Sequence, residues 1–205
     1  MRNILVVAAA AAALLASPVS AQAPTAPAAA AQAVVAGTYK VDPNHTQVVW
    51  SVDHLGFSRL HGMVGQITGE LKLDPAKPQA ATLAVDIPLS GLSVTSPGFA
   101  KHLASPDLFD TAKFPTARFV SRTVSVNGQS ATITGDLTLH GVTKPVVLDA
   151  RFYGAGVNAM SKAQTVGFSA TAKLKRSDFG LGYAAPAVSD EVSLDIAAAF
   201  EKVPG

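Results

Sequence analysis

The fold class of this chain is decided by Gly135-Asp-Leu-Thr-Leu-His-Gly-Val-Thr-Lys-Pro145 and its continuation Val146-Val-Leu-Asp-Ala-Arg-Phe152. Apolar and polar residues alternate on both sides of a polar turn, which is the pattern of a β-hairpin with one apolar face. Before the turn, that face contains Leu137 and Leu139. After the turn, it contains Val146, Leu148, Ala150 and Phe152.

The same period of two recurs along most of the chain and predicts about eight strands. They span residues 47–55, 67–73, 82–89, 118–126, 131–139, 146–152, 166–174 and 192–200. Asn127-Gly128 predicts a tight turn between the fourth and fifth strands. Such a series folds as an antiparallel sandwich or as a closed barrel, and closure removes the exposed strand edges. The sequence therefore predicts an all-β domain.

Two longer segments interrupt the strands. Ser96 to Phe114 combines helical spacing with Pro106, which ends a first short helix. The helical spacing is that of Phe99, His102 and Leu103. Ser105 is a suitable N-cap for a second short helix, with Pro106 at its first position. Ser177 to Asp190 is a loop rich in Gly, Pro and Ala. Long ordered loops on a barrel commonly form its mouth or lid.

The N-terminus has the pattern of a cleavable secretion signal over residues 1–21. A positive charge at Arg2 precedes an apolar run over 4–16, and small residues follow at Val19-Ser-Ala21. The run is shorter than the roughly 20 residues that a membrane-spanning helix needs. Residues 22–36 are uncharged and rich in Ala and Pro, which predicts a disordered linker. The folded domain is then expected at 37–203, with no transmembrane span in the mature chain.

Composition excludes several classes of protein. The chain has no cysteine, so neither disulfides nor thiolate metal sites can form. Once the predicted signal, which contains Arg2, is removed, the chain has 15 basic and 14 acidic residues, a net charge of +1. The densest basic stretch is Lys173-Leu-Lys-Arg176. This balance argues against a nucleic-acid partner on electrostatic grounds.

The residues that carry catalytic chemistry form no recognisable motif. The five histidines show neither the H-x-H nor the H-x-x-x-H spacing of a metal site; they are His45, His54, His61, His102 and His140. No G-x-S-x-G elbow is present. Asp107 and Asp110 are three residues apart. We interpret them as charges that stabilise the start of a helix and not as an acid–base pair. We therefore expect no metal, no cofactor and no catalytic residue. The alternative is a hydrolase or isomerase that uses His102 with Asp107 or Asp110.

The apolar residues leave two alternatives open. Most aromatic residues are expected in the core, but small residues also occupy inward-facing positions; these are Gly69, Gly135, Ala150, Ala170, Ala172 and Ala198. Small inward residues beside aromatic ones can leave an elongated apolar cavity. Alternatively, large side chains reach across and fill the barrel, which then acts as a structural or interaction module.

Six motifs in order resemble the YceI-like family of bacterial periplasmic polyisoprenoid-binding proteins. They are Tyr39-Lys-Val-Asp-Pro-Asn-His-Thr, Val52-Asp-His-Leu-Gly-Phe, His102-Leu-Ala-Ser-Pro-Asp-Leu-Phe-Asp, Phe114-Pro-Thr-Ala-Arg-Phe119, the hairpin stretch Gly135 to Pro145, and Arg176-Ser-Asp-Phe-Gly180. The resemblance covers residues 37 to about 202. It implies an eight-stranded antiparallel lipocalin-like barrel with a short helical insertion, located in the periplasm and often dimeric.

The resemblance also implies a ligand and a binding site. Such proteins hold a long isoprenoid chain in the barrel, as an isoprenoid quinone or a polyprenyl phosphate, for transport, storage or stress response, and the family is not established as enzymatic. The expected ligand wall or lid is Trp50, Phe99, Leu103, Phe109, Phe119 and Phe168, with Lys101 and His102 nearest the polar head. The family commonly has an Arg and an acidic residue where this chain has Phe99 and Ala100. We therefore expect fewer polar contacts to the head group here.

Overall fold

The structure, a computed structural model, describes residues 33–204 of the 205-residue chain. The predicted signal at 1–21 lies outside the described residues, and so do residues 22–32 of the predicted linker. Residues 33–36 precede the first strand and have no regular secondary structure.

The described residues form strands almost throughout, with one α-helix, α1, at Pro97–Ala104. The strands are β1 (Gly37–Val41), β2 (Gln47–His54), β3 (Ser58–Val64), β4 (Thr68–Leu73), β5 (Thr82–Pro88), β6 (Leu92–Ser93), β7 (Thr116–Asn127), β8 (Ser130–Leu139), β9 (Val142–Val157), β10 (Gln164–Lys175) and β11 (Glu191–Lys202). Every pair of neighbouring strands is antiparallel.

The eleven strands occupy eight positions around a closed barrel. Three of these positions are each filled by two short strands that follow one another end to end: β1 with β2, β3 with β4, and β5 with β6. β1 and β2 both pair with the same edge of β11. On their other side, β1 pairs with β4 and β2 pairs with β3. Next, β4 pairs with β5 and β3 pairs with β6. β5 then pairs with β7, and β7 to β11 follow in chain order. The prediction of an eight-stranded antiparallel barrel is confirmed. β1, β3 and the two-residue β6 lay outside the predicted strands.

The β8–β9 hairpin confirms the pattern from which the fold class was predicted. Leu137 and Val146 are buried, and Leu139 pairs with Val142 across a two-residue turn. Both turn residues, His140 and Gly141, have positive φ angles of 52° and 75°. Two positive φ angles are typical of a type I′ turn, whose twist matches that of the flanking strands. The turn therefore consists of His140 and Gly141 alone, and the polar residues on either side of it belong to the two strands.

The connections divide the barrel into two different ends. One end, the mouth, carries the β2–β3 turn at 55–57, the α1 segment at 94–115, the β8–β9 turn and the loop at 176–190. The other end, the floor, is packed by buried apolar side chains; they are Tyr39, Val41, Ile67, Leu71, Val166 and Phe200. Tyr39 and Val166 have no exposed surface. The floor is therefore a solid apolar plug, and long connections gather at the mouth.

Helix α1 follows the predicted helix, but the second predicted helix after Ser105 is wrong. Ser96 caps α1 by accepting a hydrogen bond from the Phe99 amide at 3.2 Å, and Pro97 is the first helical residue. After Ser105 the chain forms turns, because the Phe109 amide donates back to the Leu103 carbonyl at 3.0 Å. This bond folds the segment over the end of α1, so no helix continues.

Candidate functional site

The barrel encloses an apolar cavity of about 530 Å³ that reaches the mouth. Its wall comes from most of the strands and from α1, and the side chains that line it are predominantly aliphatic or aromatic. The lining residues include Val48, Val85, Leu137, Leu148, Leu194 and Ile196. Of the two alternatives, a cavity and a filled core, the structure has the cavity. Its volume falls within the range of small-molecule pockets.

Two aromatic rings on the inner wall each lie over a glycine of the neighbouring strand. A Cβ atom on Gly62 would lie 2.7 Å from Trp50 Nε1, and one on Gly135 would lie 2.7 Å from Phe119 Cε2. Real Cβ atoms do not approach other atoms so closely, so each ring occupies the space that a side chain would fill. The rings therefore lie against the wall and leave the middle of the barrel open.

Six of the eight predicted ligand residues line this cavity. They are Trp50, Phe99, His102, Leu103, Phe109 and Phe119. The structure does not place the other two on its wall. Lys101 is exposed on α1. Phe168 packs edge-on against Phe152 and Phe200, with ring centroids 5.7 and 6.1 Å apart, so it belongs to the floor.

His102 links α1 to the loop at 176–190. Its ring is exposed and meets the Tyr183 ring edge-on, with centroids 5.5 Å apart and an interplanar angle of 75°. Within residues 33–204, it makes no hydrogen bond with Asp107 or Asp110. The structure therefore does not assemble the acid–base pair of the enzyme alternative, and it places His102 at the rim of the mouth.

Arg176 lies at the mouth, and sequence reasoning did not select it as a site residue. Its guanidinium is buried, lines the cavity, and donates only to backbone carbonyl oxygens. The acceptors are Ser189 at 2.9 Å, Tyr183 and Val188 at 2.7 Å, and Leu181. Burial lowers the pKa of Arg176, while nearby Asp190 opposes that effect. One side chain thus holds the loop at 181–189 over the cavity. Its only sequence signal was the motif Arg176-Ser-Asp-Phe-Gly180.

Asp190 holds the other side of the same loop. Its carboxylate accepts from the Ser177 hydroxyl at 2.7 Å and from the Ser177 amide at 2.9 Å. These two bonds, in that order, hold the pKa of Asp190 below its ordinary value of 3.8. A carboxyl group with a lowered folded-state pKa stabilises the fold above its unfolded-state pKa, and that contribution is lost as pH falls through the folded-state pKa.

We therefore expect Asp190→Asn to remove part of the acid sensitivity of this protein. Wild type should lose stability as pH falls below about 4, whereas the variant, whose side chain does not titrate, should lose less over that interval. Urea unfolding at a series of acidic pH values measures the difference. Glu191→Gln is the matched control, because it removes a neighbouring carboxylate without touching Ser177. Parallel pH profiles for wild type and Asp190→Asn would contradict this expectation.

In residues 33–204, no group of three or more His, Cys, Asp or Glu side chains is placed to hold a metal ion. No helix in that range is long and apolar enough to cross a bilayer. The site described by the structure is the apolar cavity with its mouth.

Comparison with known proteins gives the same architecture. Residues 39–200 match the family model of the YceI-like domain. A UPF0312 protein of Pseudomonas putida strain W619 is 41% identical over 165 residues, which cover 79% of this chain and 85% of that protein. The crystal structure of Burkholderia cenocepacia BcnA matches with a TM-score of 0.70 at 23% identity, covering 78% of this chain and 98% of that one. A polyisoprenoid binding domain from Saccharophagus degradans matches with a TM-score of 0.58 at 15% identity, covering 80% and 98%.

Proposed function

Because this chain belongs to the YceI-like family, we propose that it binds the hydrocarbon chain of a long isoprenoid lipid inside its barrel. The observation that carries this proposal is the apolar cavity of about 530 Å³ inside a closed barrel. The Saccharophagus degradans domain, which is named as polyisoprenoid binding, supports the ligand class. Each CH₂ group that leaves water contributes roughly 0.8 kcal/mol, so a long apolar tail needs few polar contacts.

We propose a binding role without turnover. The cavity wall is apolar over most of its area, and His102 at its rim packs on Tyr183 instead of a carboxylate. General acid–base catalysis requires a proton-transferring group within hydrogen-bond reach of the substrate and of its partner. The geometry of residues 33–204 favours binding over the enzyme alternative.

We also propose that the protein acts in the periplasm, in the transport or storage of its lipid or in a stress response. The secretion-signal pattern of residues 1–21 supports export. A closed barrel with an apolar interior shields a water-insoluble chain during passage between membranes. Shielding of this kind suits an aqueous compartment that lies between two bilayers.

Extraction of the purified protein tests the ligand class. The full chain, expressed with its own residues 1–21 in a bacterium that makes isoprenoid lipids, is purified from the periplasm and extracted with organic solvent. Mass spectrometry should find an isoprenoid lipid in stoichiometric amount. Extracts that contain only fatty acids or phospholipids would contradict the proposed ligand class, and extracts without lipid would contradict binding.

A cavity-filling variant shows where the lipid lies. Ala198 lines the cavity, while its neighbour Ala197 is exposed on the outer face of the same strand, β11. We expect Ala198→Trp to reduce the retained lipid by tenfold or more, since the indole takes up space along the path of the chain. Ala197→Trp should retain as much lipid as wild type. Equal retention by both variants would place the lipid outside the barrel.

A further inference from the structure

The rim of the cavity mouth carries a group of exposed apolar side chains. Phe57, at the β2–β3 turn, has 88% of its surface exposed, and Leu55 and Tyr183 have 47% and 54%. The stretch Ala184-Ala-Pro-Ala187 is exposed as well. We call these residues the rim patch. Single exposed apolar residues are ordinary on a protein surface, whereas a contiguous group marks a surface that contacts another molecule.

Backbone hydrogen bonds join the two segments of the rim patch into one surface. The Leu55 amide donates to the Ala187 carbonyl at 2.9 Å, and the Ser189 amide donates to the Asp53 carbonyl at 2.9 Å. The β2–β3 turn is thus held against the loop at 176–190, and the apolar side chains of both segments lie together at the same end of the barrel.

The rim patch carries no charge. Neither Leu55-Gly-Phe-Ser58 nor the eleven residues from Phe179 to Ser189 include Asp, Glu, Lys or Arg. Removing a charged group from water without a countercharge is strongly unfavourable, and an uncharged surface avoids that cost. The patch therefore suits an apolar environment.

The backbone of the mouth loop is also prepared to leave water. Of the nine carbonyl oxygens of residues 181–189, seven accept hydrogen bonds within the protein. Arg176 donates to four of them. The other three accept from backbone amides at 2.9 to 3.0 Å; they are the oxygens of Gly182, Ala184 and Ala187. Carbonyl groups that lose water without another partner are costly in a lipid environment, so this loop enters one at little cost.

The rim patch is continuous with the cavity wall. Leu55, Tyr183 and Ala184 are exposed on the outside and also line the cavity. A surface that covers the patch therefore also covers the opening. Because a long hydrocarbon chain dissolves in bilayers and not in water, the surface that supplies or receives such a chain at this opening is that of a bilayer.

We propose that the rim patch docks on the surface of a phospholipid bilayer, with Phe57 inserted at the boundary between head groups and acyl chains. This inference rests on the proposed function and adds the partner with which the cavity exchanges its lipid. Aromatic side chains favour this boundary, and Tyr183 keeps its hydroxyl at the polar side. A lipid chain would then pass between membrane and cavity without crossing water.

Vesicle flotation of the purified, delipidated protein tests the docking surface, with phosphatidylcholine vesicles as the probe. We expect Phe57→Ser to weaken vesicle binding about tenfold or more, because the inserted ring is lost. Met160→Ser is the matched control: Met160 is 92% exposed but lies in the β9–β10 connection at the floor end. It should bind as wild type does. Binding should also change little with salt, since the patch is uncharged.

A fluorescent label shows which end of the barrel meets the bilayer. The chain has no cysteine, so Phe57→Cys and Met160→Cys each accept one environment-sensitive dye. We expect vesicles to shift the emission of the dye at position 57 to shorter wavelength, as entry into an apolar layer does, and to leave the dye at position 160 unchanged. Equal shifts at both positions would overturn the inference.

The vesicle results decide between a bilayer and other occupants of the rim patch. Equal vesicle binding by wild type and Phe57→Ser, or loss of binding in high salt, would overturn the proposal. If wild type does not bind vesicles and Phe57→Ser changes the oligomeric state, the patch contacts a second copy of the chain instead, which also overturns it.

Lipid retention separates this inference from the proposed function. Phe57 lies outside the cavity wall, so Phe57→Ser should retain as much isoprenoid lipid as wild type after purification. If wild type retains the lipid but does not bind vesicles, docking is wrong and the proposed function stands. If wild type retains no isoprenoid lipid, the proposed function is wrong, whereas loss of vesicle binding in Phe57→Ser alone would still support the docking surface.

Discussion

Replacing Arg176 with methionine is expected to lower the free energy of unfolding by about 3 kcal/mol, among the largest effects of a single substitution in this protein. The four carbonyl oxygens that the guanidinium now satisfies, those of Leu181, Tyr183, Val188 and Ser189, would lose their donors together. The methionine side chain is similar in length to that of arginine but has no hydrogen-bond donor, so the change tests the contribution of the donated hydrogen bonds. The loop at 181–189 should then separate from the barrel.

Two further variants make this expectation specific. Arg176→Lys keeps the charge, but a single ammonium does not reach four acceptors that surround a planar fork, so it should recover only part of the loss. Lys175→Met, at an exposed neighbouring position, should change stability by less than about 0.5 kcal/mol. Urea unfolding of the four proteins provides the comparison. Equal stabilities for Arg176→Met and Lys175→Met would show that the carbonyl bonds contribute nothing net.

The second large effect is expected at Gly135, where alanine should cost about 2 kcal/mol of stability. A Cβ atom there would lie 2.5 Å from the carbonyl oxygen of Val120 as well as against the ring of Phe119. A ring can turn away into the cavity, but a backbone oxygen within the β7–β8 ladder moves only if the strands separate. The loss should therefore appear mainly as reduced global stability.

Gly154 supplies the matched control for this expectation. It also lies within a strand, β9, yet a Cβ atom there would meet no atom within 4 Å. Alanine at Gly154 should be neutral or slightly stabilising, because it reduces the freedom of the unfolded chain. Thermal or urea unfolding of both variants measures the contrast. If Gly135→Ala were as stable as Gly154→Ala, the close approach of the two strands would not constrain the barrel.

The alternation of residues was sufficient to predict which faces of most strands point inward. Val48, Trp50, Val52 and His54 share one predicted face of β2, and all four line the cavity. This prediction succeeds because neighbouring side chains on a strand point to opposite faces. β3 was missed because Ser58–Val64 contains Gly62 and several polar residues, so its two faces do not differ clearly in hydrophobicity.

The candidate site was less predictable, because it depends on contacts between distant segments. Aromatic residues with inward periodicity were assigned to the wall, and most of them lie there. Phe168 has the same periodicity but lies near the solid floor. Alternation predicts which face of the sheet a side chain occupies, but not how far along the barrel axis it lies. Arg176 was missed because its partners are backbone carbonyls, which every residue carries, and only the folded loop brings four of them together.

The rings that lie over Gly62 and Gly135 imply that the width of the cavity depends on residues that do not line it. The three atoms nearest to a methyl group added at Gly62 all belong to the Trp50 indole, so the methyl group would tilt the indole toward the barrel axis. The cavity would then become narrower without any change in the residues that line it. Members of the family can therefore differ in cavity width through residues beneath the lining, so comparing the lining residues alone underestimates the differences between their cavities.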